Sequence, residues 1–134
     1  MINVVLDTNI VISATISSQG NPAEILGMVS DKEIQVYYSD EILAEYIKVL
    51  AYERLKIDLE KQAEIVDIIL EDGIYINPPT SDTPMPDESD RIFYDTAKDS
   101  GAILITGNMK HYPNESFIMT PAEFVEYVEE FTQK

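Results

Sequence analysis

The chain has 134 residues, 45% of them hydrophobic and 25% charged, and no cysteine. That length suits one domain, residues 1–134, with a single sizeable core, and the missing cysteines exclude disulfide frameworks and thiolate metal sites. Nine Lys and Arg against 25 Asp and Glu leave a net charge of −16, the reverse of the basic surplus usual in a nucleic-acid binder.

Carboxylates in such excess either keep a surface soluble or converge in part on a divalent cation. No run of about 18 uncharged apolar residues is present, so no membrane-spanning helix is expected. The start of the chain lacks a basic flank and a small-residue cleavage site, so no signal peptide is expected either. Together these point to a cytoplasmic protein.

Residues 2–6 (INVVL) are short, apolar and β-rich, and predict a buried strand. Residues 22–29 (PAEILGMV) predict a helix with Pro in its first turn. A second strand is expected at 34–38 (IQVYY). Ser39 then caps a helix running to about Leu50, with Asp40 and Glu41 favourably placed in its first turn. Another amphipathic helix is expected at 59–71, with Asp58 as its cap, and a short strand at 74–76. Residues 77–86 hold four of the seven prolines and predict a loop. A helix follows from about Ser89 to Ser100, closed by Gly101. A strand is expected at 102–106 (AILIT), and another at Phe117–Met119. Thr120-Pro121-Ala122-Glu123 is a capping box with Pro at the first helical position, and Phe124, Val128 and Phe131 give the last helix a buried stripe.

Strands alternate with helices, and the strands are apolar throughout. That pattern predicts an α/β fold: a three-layer α/β/α sandwich around a mostly parallel, Rossmann-like sheet. Ligands of such sheets bind beyond the carboxyl ends of the strands. Asp7, immediately after the first strand, is delivered to that rim.

Several acidic and polar groups are placed to meet it. Asp7 is followed by Thr8 and Asn9. An Asp between a strand and a helix serves equally as a cap for orphan N–H groups. Glu45 lies at the border of the apolar face formed by Ile42, Tyr46, Val49 and Leu50, as a solvated edge residue or as one reaching over the rim. Asp87, Glu88 and Asp90 open the helix after the proline loop, where Asp87 and Asp90 resemble a capping box. Asp90 meets Asp7 if the strand at 102–106 neighbours the first. Asp95 is about 140° further around that helix. Thr106-Gly107-Asn108 ends another buried strand, and Gly107 permits a tight turn or a close backbone approach. Lys110 suits a phosphate or plain solvent, and His111 is the only histidine.

Taken together, these residues resemble a PIN-domain nuclease over nearly the whole chain. VLDTNIVISA, with Asp7, is similar to the first acidic motif of that family. SDEILAEYIKVL places Glu45 at the second. DESDRIFYDTAKDSGAILITGN resembles the block carrying the third, at Asp90, and runs on to the fourth, at Asn108. The likeness is greatest to toxin components of toxin–antitoxin systems similar to VapC, where Asn followed by Lys-His-x-Pro is a familiar ending. Many PIN domains carry Asp where this chain has Asn108. That removes one negative charge from the implied pocket, and Asp95, or Asp87 and Glu88, are placed to compensate.

The resemblance implies a metal-dependent endoribonuclease. Carboxylates repel phosphate, so they would act by binding Mg²⁺ or Mn²⁺, which lowers the pKa of water and offsets phosphate charge. Asp7 would be the central ligand and Asp90 the second. Glu45 would ligate through water or act as general base, and Asn108 would position a water or the scissile phosphate. Thr8, Asn9 and Thr106 would fix the carboxylates, and Lys110 and His111 would contact the RNA backbone. Lys48, Arg54, Lys56 and Arg91 are further cations for the mouth of the site. A homodimer and a cognate antitoxin are the implied protein partners.

Other classes fit less well. A haloacid-dehalogenase-like phosphatase would need a second Asp at Asn9. A receiver domain would need its phosphoacceptor after the third strand, where IYINPP offers none. No GxGxxG turn supports a dinucleotide. A non-catalytic PIN domain kept for binding RNA or protein is the main alternative.

Overall fold

The structure is a computed structural model in which residues 1–132 are described. Strand β1 (Ile2–Leu6) leads into helix α1 (Thr8–Ile16) and helix α2 (Asn21–Ser30). Strand β2 (Ile34–Tyr38), helix α3 (Asp40–Leu50), helix α4 (Leu59–Asp72) and strand β3 (Ile74–Tyr75) follow. After the proline loop come a 3₁₀ turn (Glu88–Asp90), helix α5 (Arg91–Ser100) and strand β4 (Ile103–Ile105). A second 3₁₀ turn (Met109–His111), strand β5 (Ile118–Met119) and helix α6 (Pro121–Thr132) complete the described chain.

All five strands are parallel, in the order β3-β2-β1-β4-β5. Val4, Val5 and Leu6 are wholly buried, as expected where helices cover both faces of a parallel sheet. The connections from β1 to β2 and from β2 to β3 carry α2 and α4, which pack on each other and on β2. The chain then crosses back to β4 through α5, which packs on β1, β2 and β4. The result is the expected α/β sandwich.

Local signals act where they were read. The Ser39 side chain accepts from the Ile42 N–H at 3.2 Å, and Asp58 from the Lys61 N–H at 2.8 Å. Thr120 and Glu123 exchange both capping-box bonds. Gly101 ends α5 in the left-handed region, at φ +70°, where a Cβ would be strained.

Three expectations change. Residues 8–16, to which the sequence pattern assigns no element, form α1. The helix expected from Ser89 becomes a 3₁₀ turn before α5, because the Asp87 carboxylate accepts from the Ser89 N–H and hydroxyl and holds a tight turn. Phe131 is 53% exposed; the stripe on α6 is buried at Phe124, partly buried at Val128, and has left the core one turn later.

Candidate metal centre at the switch point of the sheet

Strand β1 pairs with β2 on one side and with β4 on the other. The chain leaves β1 in opposite directions at this point, so a crevice opens beyond the strand ends. Leu6 stands opposite Ile105. The next residues, Asp7 and Thr106, therefore meet at the rim.

Asp7 is fixed from three sides. Its N–H donates to Ile105 O at 3.0 Å, extending the ladder by one bond. Its Oδ2 accepts from the Thr106 hydroxyl and from the Tyr112 hydroxyl, each at 2.8 Å. Although Asp7 occupies the N-cap position of α1, its side chain makes no capping bond. The carboxylate is turned away from the helix and lines an open cavity of about 450 Å³. Burial and the nearby Asp7 charge push the Tyr112 hydroxyl well above its ordinary pKa, so it stays a donor. The Tyr46 hydroxyl is raised for the same two reasons, and donates to Leu6 O at 2.6 Å, tying α3 to the end of β1.

Asp90 lines the same cavity from the N-terminus of α5. It does not close a capping box on Asp87. Its Oδ2 instead lies 3.0 Å from His111 Nδ1. Burial, then repulsion by Asp7 and Asp87, push the Asp90 carboxyl up to about 6, against the opposing pull of His111. Asp87 is held below the usual carboxylate range by its bonds to Ser89. Asp87, Asp90 and His111 each turn one ligating atom to a point where all three lie within 4.8 Å of one another.

Asn9 and Asn108 support the rim. Asn9 Oδ1 accepts from the Gly107 N–H at 3.0 Å. A Cβ at Gly107 would lie 3.3 Å from that oxygen, so the close approach allowed by this glycine is to Asn9. The Asn108 N–H donates to Thr106 Oγ1 at 3.0 Å, and its exposed side chain lines the cavity. Thr8 Oγ1 is buried there without a partner among the described residues. Hard oxygen donors beside one imidazole, and an orphaned hydroxyl, make a donor set that fits a divalent cation with retained waters.

Several predicted residues lie elsewhere, Glu88, Lys48 and Lys56 among them. Asp95 is buried, but its oxygens accept from the Ser81 N–H and hydroxyl, at 3.0 and 2.5 Å. It belongs to a separate cavity of about 200 Å³ between α5 and the proline loop. Arg91 is committed to that loop as well, donating to the Ser81 and Thr83 carbonyls and pairing with Glu88. Glu45 is half-buried on α3, has no hydrogen-bond or ion-pair partner among the described residues, and does not line the cavity. Lys110 is exposed and also outside its lining.

The sequence did not point to Tyr112, nor to Tyr52, whose ring lies under Arg54 at 5.2 Å beside the cavity. Nothing local marks either tyrosine. Only the fold shows that the Tyr112 hydroxyl reaches a carboxylate 105 residues away.

The comparisons with known proteins agree with this fold. An uncharacterized protein of Methanocaldococcus jannaschii is 32% identical over 145 aligned positions, which cover 97% of this chain and 94% of its own. The structure of VapBC2 from Rickettsia felis, bound to a DNA fragment from their promoter, is similar with a TM-score of 0.59. That match covers 89% of this chain and 97% of the other at 18% identity, a likeness of fold. The PIN-domain family model matches residues 3–110, a span that includes Asp7, Asp90 and Asn108. The chain belongs to the PIN-domain family.

Proposed function

We propose that this protein is a metal-dependent endoribonuclease that hydrolyses RNA phosphodiester bonds, built as one PIN domain over residues 1–134. The observation that carries this reading is the convergence of Asp7, Asp87, Asp90 and His111 on one crevice at the switch point of the sheet. A divalent cation held there, Mg²⁺ or Mn²⁺, supplies charge neutralisation for a phosphodiester and a lowered pKa for water. Asp7 and Asp90 are its anionic ligands. Thr106 and Tyr112 hold Asp7 by one oxygen and leave Oδ1 for the crevice.

Asn108 orients a water or the scissile phosphate from its position on the rim. Glu45 is assigned the role of general base through one water, on a helix that Tyr46 anchors to the end of β1. Arg54 stacked on Tyr52 beside the crevice pairs a cation with an aromatic face, the combination that binds single-stranded backbone and base. Lys110 adds a second phosphate contact. We extend the reading to a cytoplasmic toxin component that forms a homodimer and binds an antitoxin, as the resemblance of its motifs to VapC-like toxins implies.

A second reading, a PIN domain that binds RNA or protein without cleaving, draws on Asn108 in place of a carboxylate and on the net charge of −16. End-labelled structured RNA separates the two. Internal cuts that need Mg²⁺ or Mn²⁺ and vanish in EDTA support the nuclease. Metal binding without any cut favours the binding module.

A further inference from the structure

His111 is the only histidine in the chain; its side chain is 46% exposed, but its Nδ1 is turned toward two carboxylates. Nδ1 lies 3.0 Å from Asp90 Oδ2 and 3.9 Å from Asp87 Oδ2. Two ligands on adjacent corners of an octahedron, each about 2.1 Å from the ion, stand about 3.0 Å apart. That spacing is also a hydrogen bond's, so the two atoms need little movement to stand as neighbouring ligands. The carboxylates come from the turn before α5 and the imidazole from the turn after β4, so the fold assembles them from distant segments.

A second, independent feature opens onto the same cavity. Asp7 is 5% exposed, and its hydrogen bonds all fall on Oδ2, leaving Oδ1 unpartnered among the described residues.

We propose that His111 is itself a ligand of the cation, and that its nitrogen biases the site toward a first-row transition cation over Mg²⁺. This rests on the metal-dependent reading above and deepens it. Imidazole suits transition metals, whereas Mg²⁺ prefers an all-oxygen shell. On ligation the proton shared in the Nδ1–Asp90 hydrogen bond is lost to solvent, the ring keeps its other proton on Nε2, and the freed Nδ1 lone pair turns to the ion. Asn108 fits the same scheme, because a neutral amide and a neutral imidazole beside two carboxylates balance the charge of a divalent ion.

The test uses the full chain without a histidine tag. Mn²⁺ and Mg²⁺ affinities are measured by calorimetry for the native protein and for His111→Gln, and the Mn²⁺-loaded proteins are examined by electron spin-echo spectroscopy. We expect a ¹⁴N coupling of imidazole type in the native protein that is lost in His111→Gln. We also expect the variant to lose about tenfold or more in Mn²⁺ affinity, with Mg²⁺ affinity changed by less than about threefold. A histidine that only braces Asp90 would instead weaken both ions alike and give no ¹⁴N coupling. That result overturns the proposal and leaves the carboxylate site intact. Absence of Mn²⁺ binding to the native protein overturns both.

Discussion

Tyr112→Phe is the most informative single change, because it removes one hydroxyl from a closed arrangement. The Asp7 carboxylate is buried and its Oδ2 receives two donors, Thr106 and Tyr112, both at 2.8 Å. Phenylalanine keeps the ring in its buried place and deletes one bond to a charged acceptor. Such a bond contributes roughly 1.5–3 kcal/mol net. For a chain of this size that lowers Tm by about 5–10 °C, measured by calorimetry or urea titration in EDTA. Thr106→Val should cost at least as much, since Thr106 Oγ1 also accepts the Asn108 N–H. With both donors gone, Oδ2 keeps neither side-chain bond, so the double variant should be less stable than the sum of the two by about 0.5 kcal/mol or more. A Tyr112→Phe protein within about 0.5 kcal/mol of the native one would refute the claim that this hydroxyl holds Asp7.

Other consequences follow from the same geometry. In metal-free protein the Asp90 carboxyl is raised to about 6 from 3.8, so the folded state binds that proton more tightly than the unfolded state. Its contribution to stability is full below about 3.8 and is lost as pH rises through about 6. Asp90→Asn should therefore gain in Tm over the native protein, in EDTA, as pH rises from 4 to 7, and should forfeit stabilisation by added Mn²⁺. A flat difference across that range would contradict the assigned repulsion. Asp95→Asn should weaken the tie to Ser81 and raise protease cleavage within residues 77–86; unchanged digestion would show that the loop is held by other contacts. Gly73→Ala should be severely destabilising, by several kcal/mol, because a Cβ there would lie 2.3 Å from Ile69 O, and an unchanged urea midpoint would refute this.

The fold was legible where one local rule decided the outcome. Ser39, Asp58 and the pair Thr120–Glu123 signal helix starts through bonds to neighbours within three residues, so no tertiary information was needed. Apolar β1 and β4 could be read as buried strands, and the topology that makes them neighbours puts Asp7 beside Thr106. The site was legible less fully. Asp95 and Arg91 carry the right chemistry, but a helix turns its residues through all directions, and the proline loop captured both. Asp87 and Asp90 offer both a local capping pair and carboxylates for the rim; only tertiary structure decides between them, and Asp90 lines the cavity and bonds a histidine 21 positions on. Tyr112 gave no signal, since a tyrosine buried against a carboxylate resembles any core tyrosine until the chain is folded.

The most direct test sets the native protein beside Asp7→Asn and Asp95→Asn on the same end-labelled RNA, with Mn²⁺ present. Both variants replace a buried carboxylate by its neutral isostere, but only one lies at the strand ends between β1 and β4. We expect internal cleavage by the native protein and by Asp95→Asn, and loss of at least about a hundredfold in rate for Asp7→Asn. Equal cleavage by Asp7→Asn, in a preparation shown to be folded, would contradict the assignment of this crevice as the place where the chain cuts RNA.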